Sequence, residues 1–317
     1  MNITVVFTGG TIGSLQKQSW IGLDAAATYK LLQPFQERYP DICFTTKSPY
    51  NILSENLSGR ELNLLQGVVA ASLGEQPDGI IITHGTDTLQ YTATAMEYAF
   101  ADAAVPIVFV SAAYPLEYPE TNGYLNFEAA VELIRTRCTG GVYVSYKNDD
   151  QAHVNLHYAS RLLQHGEQSA NLYSLNNEIY AIYDGKITVN KQLLPKSVSC
   201  GGIVEYCDPA GILTVESVPG NGYDYALERV RAILLKPYHS ATLNTESPFF
   251  VQFCRRARER NIPIVVIGAA AGIPYESTKF FGELGIHVVP FGTYASLYIY
   301  LWRGISLEVN LLEYLKG

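Results

Sequence analysis

The run Asn2-Ile3-Thr4-Val5-Val6-Phe7-Thr8-Gly9-Gly10-Thr11-Ile12-Gly13-Ser14 decides how the chain is read. Its first half is short, apolar and β-branched, which suits a strand buried on both faces. The paired glycines that follow allow a tight turn and let a ligand approach main-chain N–H groups. Thr11 then carries a hydroxyl just past the carboxyl end of the strand. Alone, the segment reads equally well as a βα turn with a capping threonine. It does not suit a nucleotide loop, because it lacks a Gly-Lys-Ser/Thr ending and the G-x-G-x-x-G spacing.

The same pattern recurs downstream. Residues 79–83, 105–110 and 141–146 read as buried strands, each bounded by turn residues. Helical spacing lies between them, over 89–100 and 127–134. Ser58-Gly59-Arg60-Glu61 has the form of a capping box ahead of Leu62, Leu65, Val68 and Val69. Such alternation predicts parallel strands joined by crossover helices.

A second series begins near residue 200. Strands are expected at 202–205, 232–235, 263–267 and 287–289. A helix is expected to open at Ser247-Pro248 and carry Phe249, Phe250, Phe253 and Ala257 on its apolar face. Residues 178–183 read as a hairpin strand, and the polar stretch after them, containing Pro195, reads as a linker. A chain of 317 residues exceeds one comfortable core. The expected fold class is therefore two α/β domains. The larger N-terminal one has a parallel sheet and spans 1–185, a linker spans 186–199, and a smaller C-terminal α/β domain spans 200–317.

A second hydroxyl-rich turn, His84-Gly85-Thr86-Asp87-Thr88, follows the strand at 79–83 and opens the helix at 89. The helix dipole favours a carboxylate there, and an ordinary N-cap would explain the residues as well. Both turns fall at carboxyl ends of parallel strands, where open sheets bind their ligands. Two such loops can face each other across one crevice.

Composition narrows the function. A net charge of −8 gives no footprint for nucleic acid or an anionic membrane. No apolar run reaches membrane-spanning length, and the first residues lack the basic and long apolar regions of a signal peptide. Five cysteines at wide spacing, with no C-x-x-C, predict neither a disulfide framework nor a zinc site, and a reducing cytoplasm is expected. His153 and His157 stand four apart, a spacing that would suit a metal on a helix, but no third ligand is convincingly placed. His84 reads as a packing residue that orients its loop, and His239 as structural. The basic run 255–260 reads as a solvated helix end.

The two turns together are similar to the paired signatures of the asparaginase/glutaminase family, Thr-Gly-Gly-Thr-Ile-Gly-Ser at 8–14 and His-Gly-Thr-Asp-Thr at 84–88. The resemblance continues in order through Asn51-Ile52-Leu53-Ser54-Glu55-Asn56, through 110–116, and through Asn122-Gly123 and Asn126. Ser240-Ala241-Thr242-Leu243-Asn244 and Tyr275-Glu276-Ser277-Thr278 support it more weakly. It implies a flavodoxin-like N-terminal domain. It also implies a cofactor-free amidohydrolase that cuts the side-chain amide of L-asparagine through a threonine acyl-enzyme.

On that resemblance Thr11 attacks the amide carbon, Thr86 positions the attacking group or water, and Asp87 binds the α-amino group. Ser54 and Glu55 grip the substrate's main-chain groups. Gly10, Gly85, Ala112, Asn244 and Glu276 complete the binding set, with N–H groups near Thr86 and in the Ala112-Ala113 loop as oxyanion donors. A homodimer or homotetramer is implied. Other amides, among them L-glutamine, D-amino acid amides and dipeptide amides, remain open, as does a binding protein without turnover.

The sequence departs from the family twice. Where the family has a lysine completing a Thr–Lys–Asp triad, Ala159-Ser160-Arg161 brings Arg161, which keeps its proton. Lys147 is the alternative. The loop after Thr11, 15–23, has no tyrosine. Trp20 and then Tyr29 are its nearest aromatics, and Tyr114 or Tyr275 is the candidate for closing the site.

Overall fold

The computed structural model describes residues 1–17, 20–23, 25–137, 140–193, 201–268, 275–290 and 292–316, with only the backbone over 14–29. It forms two compact units, Met1–Ile203 and Val204–Gly317.

In the first unit, β1 (Asn2–Phe7) is followed by a ribbon of β2 (Ser14–Lys17) and β3 (Trp20–Leu23). Then come α1 (Ala25–Arg38), β4 (Cys43–Lys47), α2 (Gly59–Gly74), β5 (Gly79–Thr83), α3 (Leu89–Phe100), β6 (Pro106–Val110), α4 (Gly123–Arg135) and β7 (Gly141–Tyr146). The unit ends with β8 (Val154–Tyr158), β9 (Ile179–Tyr183) and β10 (Ile187–Val189). The sheet order is β10-β9-β8-β7-β6-β5-β1-β4. The strands from β4 to β7 run parallel, and β8, β9 and β10 pair antiparallel to their neighbours. Residues 184–186 are thus the turn of a hairpin, and its second arm, β10, takes the start of the stretch expected to be a linker. Residues 194–200, with Pro195, lie outside the described residues.

Strand alternation covers both faces of the central sheet. Ile3, Val5, Phe7, Ile81, Val108 and Val110 pack with Phe127, Ala130, Val131 and Ile134 of α4 and with Leu31, Leu32 and Phe35 of α1. Their alternates Ile80, Ile82, Ile107 and Phe109 are fully buried as well. The apolar face of α2 buries Leu62, Leu65 and Val69. Its N-cap differs from the expected capping box: the Ser58 hydroxyl donates to the Glu61 carboxylate rather than accepting from the helix backbone.

The second unit has four parallel strands, β11 (Ile212–Glu216), β12 (Ala232–Lys236), β13 (Ile264–Ile267) and β14 (Ile286–Val289), in that order. Ile233, Leu235, Ile264 and Val266 pack on Phe250, Phe253 and Ala257 of α5 (Pro248–Glu259). Their alternates Ala232, Leu234 and Val265 pack on α6 (Tyr294–Ser306) and α7 (Leu311–Tyr314). The expected strand 202–205 is absent; the first strand is β11, and Val204 and Tyr206 are buried without joining the sheet. Among the described residues, no helix is long and apolar enough to cross a membrane.

Candidate active site

The larger sheet reverses its strand order between β1 and β5. From β1 the chain moves outward to β4, then returns across β1 to lay down β5, β6 and β7 on the other side. Such a switch point leaves an open crevice beyond the carboxyl ends of the two strands. The turns at 8–13 and 84–88 leave β1 and β5 there.

Backbone contacts knit three segments together at this point. The Thr8 hydroxyl donates to the Thr83 carbonyl at 2.6 Å, closing the ends of β1 and β5. Ile52 N–H donates to the Thr8 carbonyl and Gly10 N–H to the Ile52 carbonyl, both at 3.1 Å. The Gly10 N–H is therefore engaged, and Gly10 serves close backbone approach instead of offering its N–H to a ligand. Gly9 and Gly10 have φ of 105° and 77°. A Cβ on Gly10 would overlap the backbone of Gly85, and a Cβ on Gly85 would stand 2.5 Å from Ser54 Oγ. Thr88 Oγ1 donates to the Ser54 carbonyl at 2.8 Å.

With the Gly10 and Gly85 backbones in contact, the Cα atoms of Thr11 and Thr86 lie at most about 12 Å apart, given ~3.8 Å between consecutive Cα atoms. That spacing lets two threonine side chains share one small ligand.

The far wall is held by two amides one helical turn apart. Asn122 Oδ1 accepts from Ala113 N–H, and its Nδ2 donates to the Lys147 carbonyl, both at 2.8 Å. Asn126, fully buried, donates to the Ser111 carbonyl and accepts from Lys147 N–H. The Ala112-Ala113 loop was expected to supply oxyanion donors. The Ala113 N–H is consumed in this brace and cannot serve as one.

A cleft of about 510 Å³ opens on this wall, lined by Thr86, Asp87, Ala113, Tyr114, Tyr146 and residues 164–170. Asp87 is exposed and forms no ion pair among the described residues, leaving its carboxylate open to a cationic ligand group. His84 lies beneath. Burial pushes its pKa down to about 4, and its Nδ1–H donates to the Gly85 carbonyl at 2.8 Å. It is a neutral brace for the turn, the role the sequence suggests. His165 faces the cleft. The sequence does not mark it, because a single histidine in the polar stretch Gln164-His165-Gly166 carries no pattern.

Residues 2–194 match the family model described as "Asparaginase, N-terminal". The chain belongs to the asparaginase family. Among solved structures it is similar to the thermostable L-asparaginase from Thermococcus kodakarensis, with a TM-score of 0.81 at 22% identity, over 100% of this chain and 96% of that one. It is likewise similar to the probable cytoplasmic L-asparaginase from Campylobacter jejuni, with a TM-score of 0.80 at 18% identity, over 99% and 98%. At these identities the likeness establishes the fold. Among curated proteins it resembles a glutamyl-tRNA(Gln) amidotransferase subunit from Methanosphaera stadtmanae, 28% identical over 60% of this chain and 44% of the relative. The corresponding protein of Methanococcus maripaludis is 32% identical over 45% and 34%. The match thus spans less than half the length of these relatives.

Within the asparaginase frame, Arg161 departs from its expected place. Because β8 runs antiparallel to β7, Tyr158 pairs with Tyr143 near the amino end of β7, and the chain enters Ala159–Arg161 at the sheet edge opposite the crevice. Arg161 pairs there with Glu178 at 3.5 Å. Lys147 follows β7 at the correct edge, and its Nζ donates to the Asn148 carbonyl at 3.4 Å. The sequence cannot show that β8 reverses direction. His157, four residues after His153, lies on this strand, buried with Nδ1 on Ser174 Oγ at 2.7 Å.

Beside Arg161, Glu97 of α3 accepts from Ser160 N–H at 2.5 Å and from its hydroxyl at 3.0 Å. Burial pushes the Glu97 carboxyl up to about 7, against the Ser160 hydrogen bonds and the Arg161 charge. Its folded value exceeds the unfolded one near 4.5, so its contribution is full below pH 4.5 and is lost as pH rises through 7. Glu97→Gln should remove that decline, raising stability at pH 8 relative to pH 4.5 by on the order of 3 kcal/mol compared with wild type. Urea unfolding across this range measures it, and an unchanged slope would refute the assignment.

The remaining expected residues distribute as follows. Ser54 is buried against Gly85 and supports the turn, while Glu55 is exposed on the same short helical turn, Ser54–Asn56. Ala112 is buried behind the cleft, and Tyr114, a candidate for closing the site, lines it. The loop after Thr11 contains the β2–β3 ribbon; the side chains of Trp20 and Tyr29 lie outside the described set. In the second unit, Asn244 Oδ1 accepts from the Tyr223 hydroxyl, and Glu276 stands exposed with Lys279 at 3.8 Å. Tyr275 is exposed there too. Cys43, Cys207 and Cys254 are free thiols, and Cys138 and Cys200 lie outside the described residues.

Proposed function

We propose that the chain hydrolyses the side-chain amide of L-asparagine to L-aspartate and ammonia through an acyl-enzyme on Thr11. The observation that carries this reading is the switch-point crevice, where the turns bearing Thr11 and Thr86 meet backbone to backbone at Gly10 and Gly85. A threonine hydroxyl is a weak nucleophile and needs a polarising partner. Thr11 attacks the amide carbon, the C–N bond breaks and ammonia leaves. Water held by Thr86 then cleaves the ester.

Asp87, with no cation of its own among the described residues, binds the substrate's α-amino group. Glu55 at the crevice edge assists it, and Ser54 acts by shaping the turn. Asn244, Glu276 and a homodimeric or homotetrameric state enter the proposal by family resemblance alone.

Ammonia release should be measured with L-asparagine, L-glutamine and other amino-acid amides, with hydroxylamine present to trap the acyl group. The expected result is β-aspartyl hydroxamate from L-asparagine, at the highest kcat/KM of the panel. Preference for L-glutamine would move the substrate by one methylene, a modest discrimination for most pockets. Binding of aspartate with no ammonia from any amide would overturn the hydrolytic reading.

A further inference from the structure

The family's proton-transferring amine has no counterpart at Arg161, whose charge is directed to Glu178 at the other end of the sheet. Lys147, at the crevice edge, turns its Nζ to the Asn148 carbonyl, which directs attention to the groups beside Thr86. His165 shares the cleft with Thr86 and Asp87 and stacks edge-on against Tyr146, with ring centroids 5.6 Å apart. Its Nε2 is buried and has no hydrogen-bond partner among the described residues. Backbone groups at Asn171 and Ser169 also face the ring in a way that favours its protonated form. In the Nδ1–H tautomer the Nε2 lone pair is free, the arrangement a general base requires.

We propose that His165 is the proton-transfer group of this site, a histidine serving where relatives use an amine. The role rests on the hydrolytic reading above. In deacylation, Nε2 takes a proton from the water as its oxygen bonds to the acyl carbon of the Thr11 ester. The tetrahedral intermediate collapses, the ester C–O bond breaks, and its electron pair returns to Thr11 Oγ1. The imidazolium gives its proton back to that oxygen through the Thr86 hydroxyl. The product is the carboxylic acid, which ionises to solvent, and both threonines and His165 are regenerated.

The groups facing the ring suit the cycle. Asp87 from the β5 turn stabilises the imidazolium. Tyr146 from β7, whose phenol burial holds in its neutral form, and Tyr114 from the β6 loop also face the cleft, and Glu167 on the ring's own segment adds no positive charge. Burial holds the imidazole below its ordinary value, so it is neutral at pH 7.

The test is the pH profile of kcat for wild type, His165→Gln and Lys147→Met, with thermal unfolding to confirm folding. Wild type should lose kcat on the acid side with an apparent pKa below that of ordinary histidine. His165→Gln should lose that limb and at least about 100-fold in kcat, the usual contribution of a general base. Lys147→Met should keep the limb. Nitrogen NMR of the assigned His165 ring should show the Nδ1–H tautomer and a shift on L-aspartate binding.

A His165→Gln enzyme with near-wild-type kcat, or a limb abolished by Lys147→Met instead, would overturn the proposal while leaving hydrolysis intact. A wild type that releases no ammonia from any amide would refute the hydrolytic reading, and this role with it.

Discussion

Gly10→Ala is expected to cut kcat/KM for the amide substrate by 100-fold or more and to lower the melting temperature sharply. Two separate effects add. At φ of 77° an L-residue costs roughly 1–2 kcal/mol. The added Cβ would also fall on the backbone of Gly85 and within 2.8 Å of the His84 carbonyl carbon. Those atoms continue β5 in the sheet interior and cannot rotate aside, so the β1 and β5 turns must separate. A displacement of about 1 Å between catalytic groups can cost on the order of 100-fold.

Gly85→Ala provides the contrast. Its Cβ would meet the Ser54 side chain, at 2.5 Å from Oγ and 2.7 Å from Cβ. Removing that side chain in the double variant Gly85→Ala/Ser54→Gly should restore much of the loss. No side-chain deletion should rescue Gly10→Ala. Steady-state kinetics and thermal unfolding on the three variants measure this. A Gly10→Ala enzyme with more than a tenth of wild-type activity would show that the two backbones need not touch.

Why these turns are legible, and their surroundings less so, follows from where the information lies. Strands 79–83 and 141–146 have the expected bounds, because a strand buried on both faces is a continuous apolar run cut off by turn residues. β4 and β8 are not marked in this way. Cys43–Lys47 sits at the sheet edge with mixed exposure, and Val154–Tyr158 alternates apolar residues with Asn155 and His157. The first shows no clean period, and the alternation of the second runs over only five residues. The direction of β8 is set by its pairing with β7, a non-local fact, and that direction decides where Arg161 goes.

The site divides the same way. Thr11, Thr86 and Asp87 stand in short turns whose chemistry is written in adjacent residues. Ser54 beneath Gly85, the Asn122 amide on Ala113 and His165 in the cleft arrive from distant segments through ordinary loop sequence. Resemblance points to Ser54 and Asn122 but not to their contacts with Gly85 and Ala113, and nothing in the sequence marks His165.

Removal of the two hydroxyls should be strongly non-additive. Thr11→Ala deletes the atom that would carry the acyl group, and Thr86→Ala deletes the hydroxyl that would hold water and relay its proton. Each single change should lower kcat by on the order of 10⁴-fold or more, while the fold persists, because neither side chain belongs to the buried core. If the hydroxyls serve one acyl-transfer cycle, the cycle fails when either is missing. The double variant should then fall no further than the worse single variant, within about threefold. If each acted on its own, the losses would multiply, to on the order of 10⁸-fold.

The two singles should also differ before steady state. With one equivalent of amide, Thr86→Ala retains Thr11 and should accumulate some acyl adduct on Thr11, visible as a mass increase in the intact protein, whereas Thr11→Ala should show none. An adduct on Thr86 in the Thr11→Ala protein would exchange the two roles. Full multiplicativity would mean that the facing turns at the β1/β5 switch point do not work as one site.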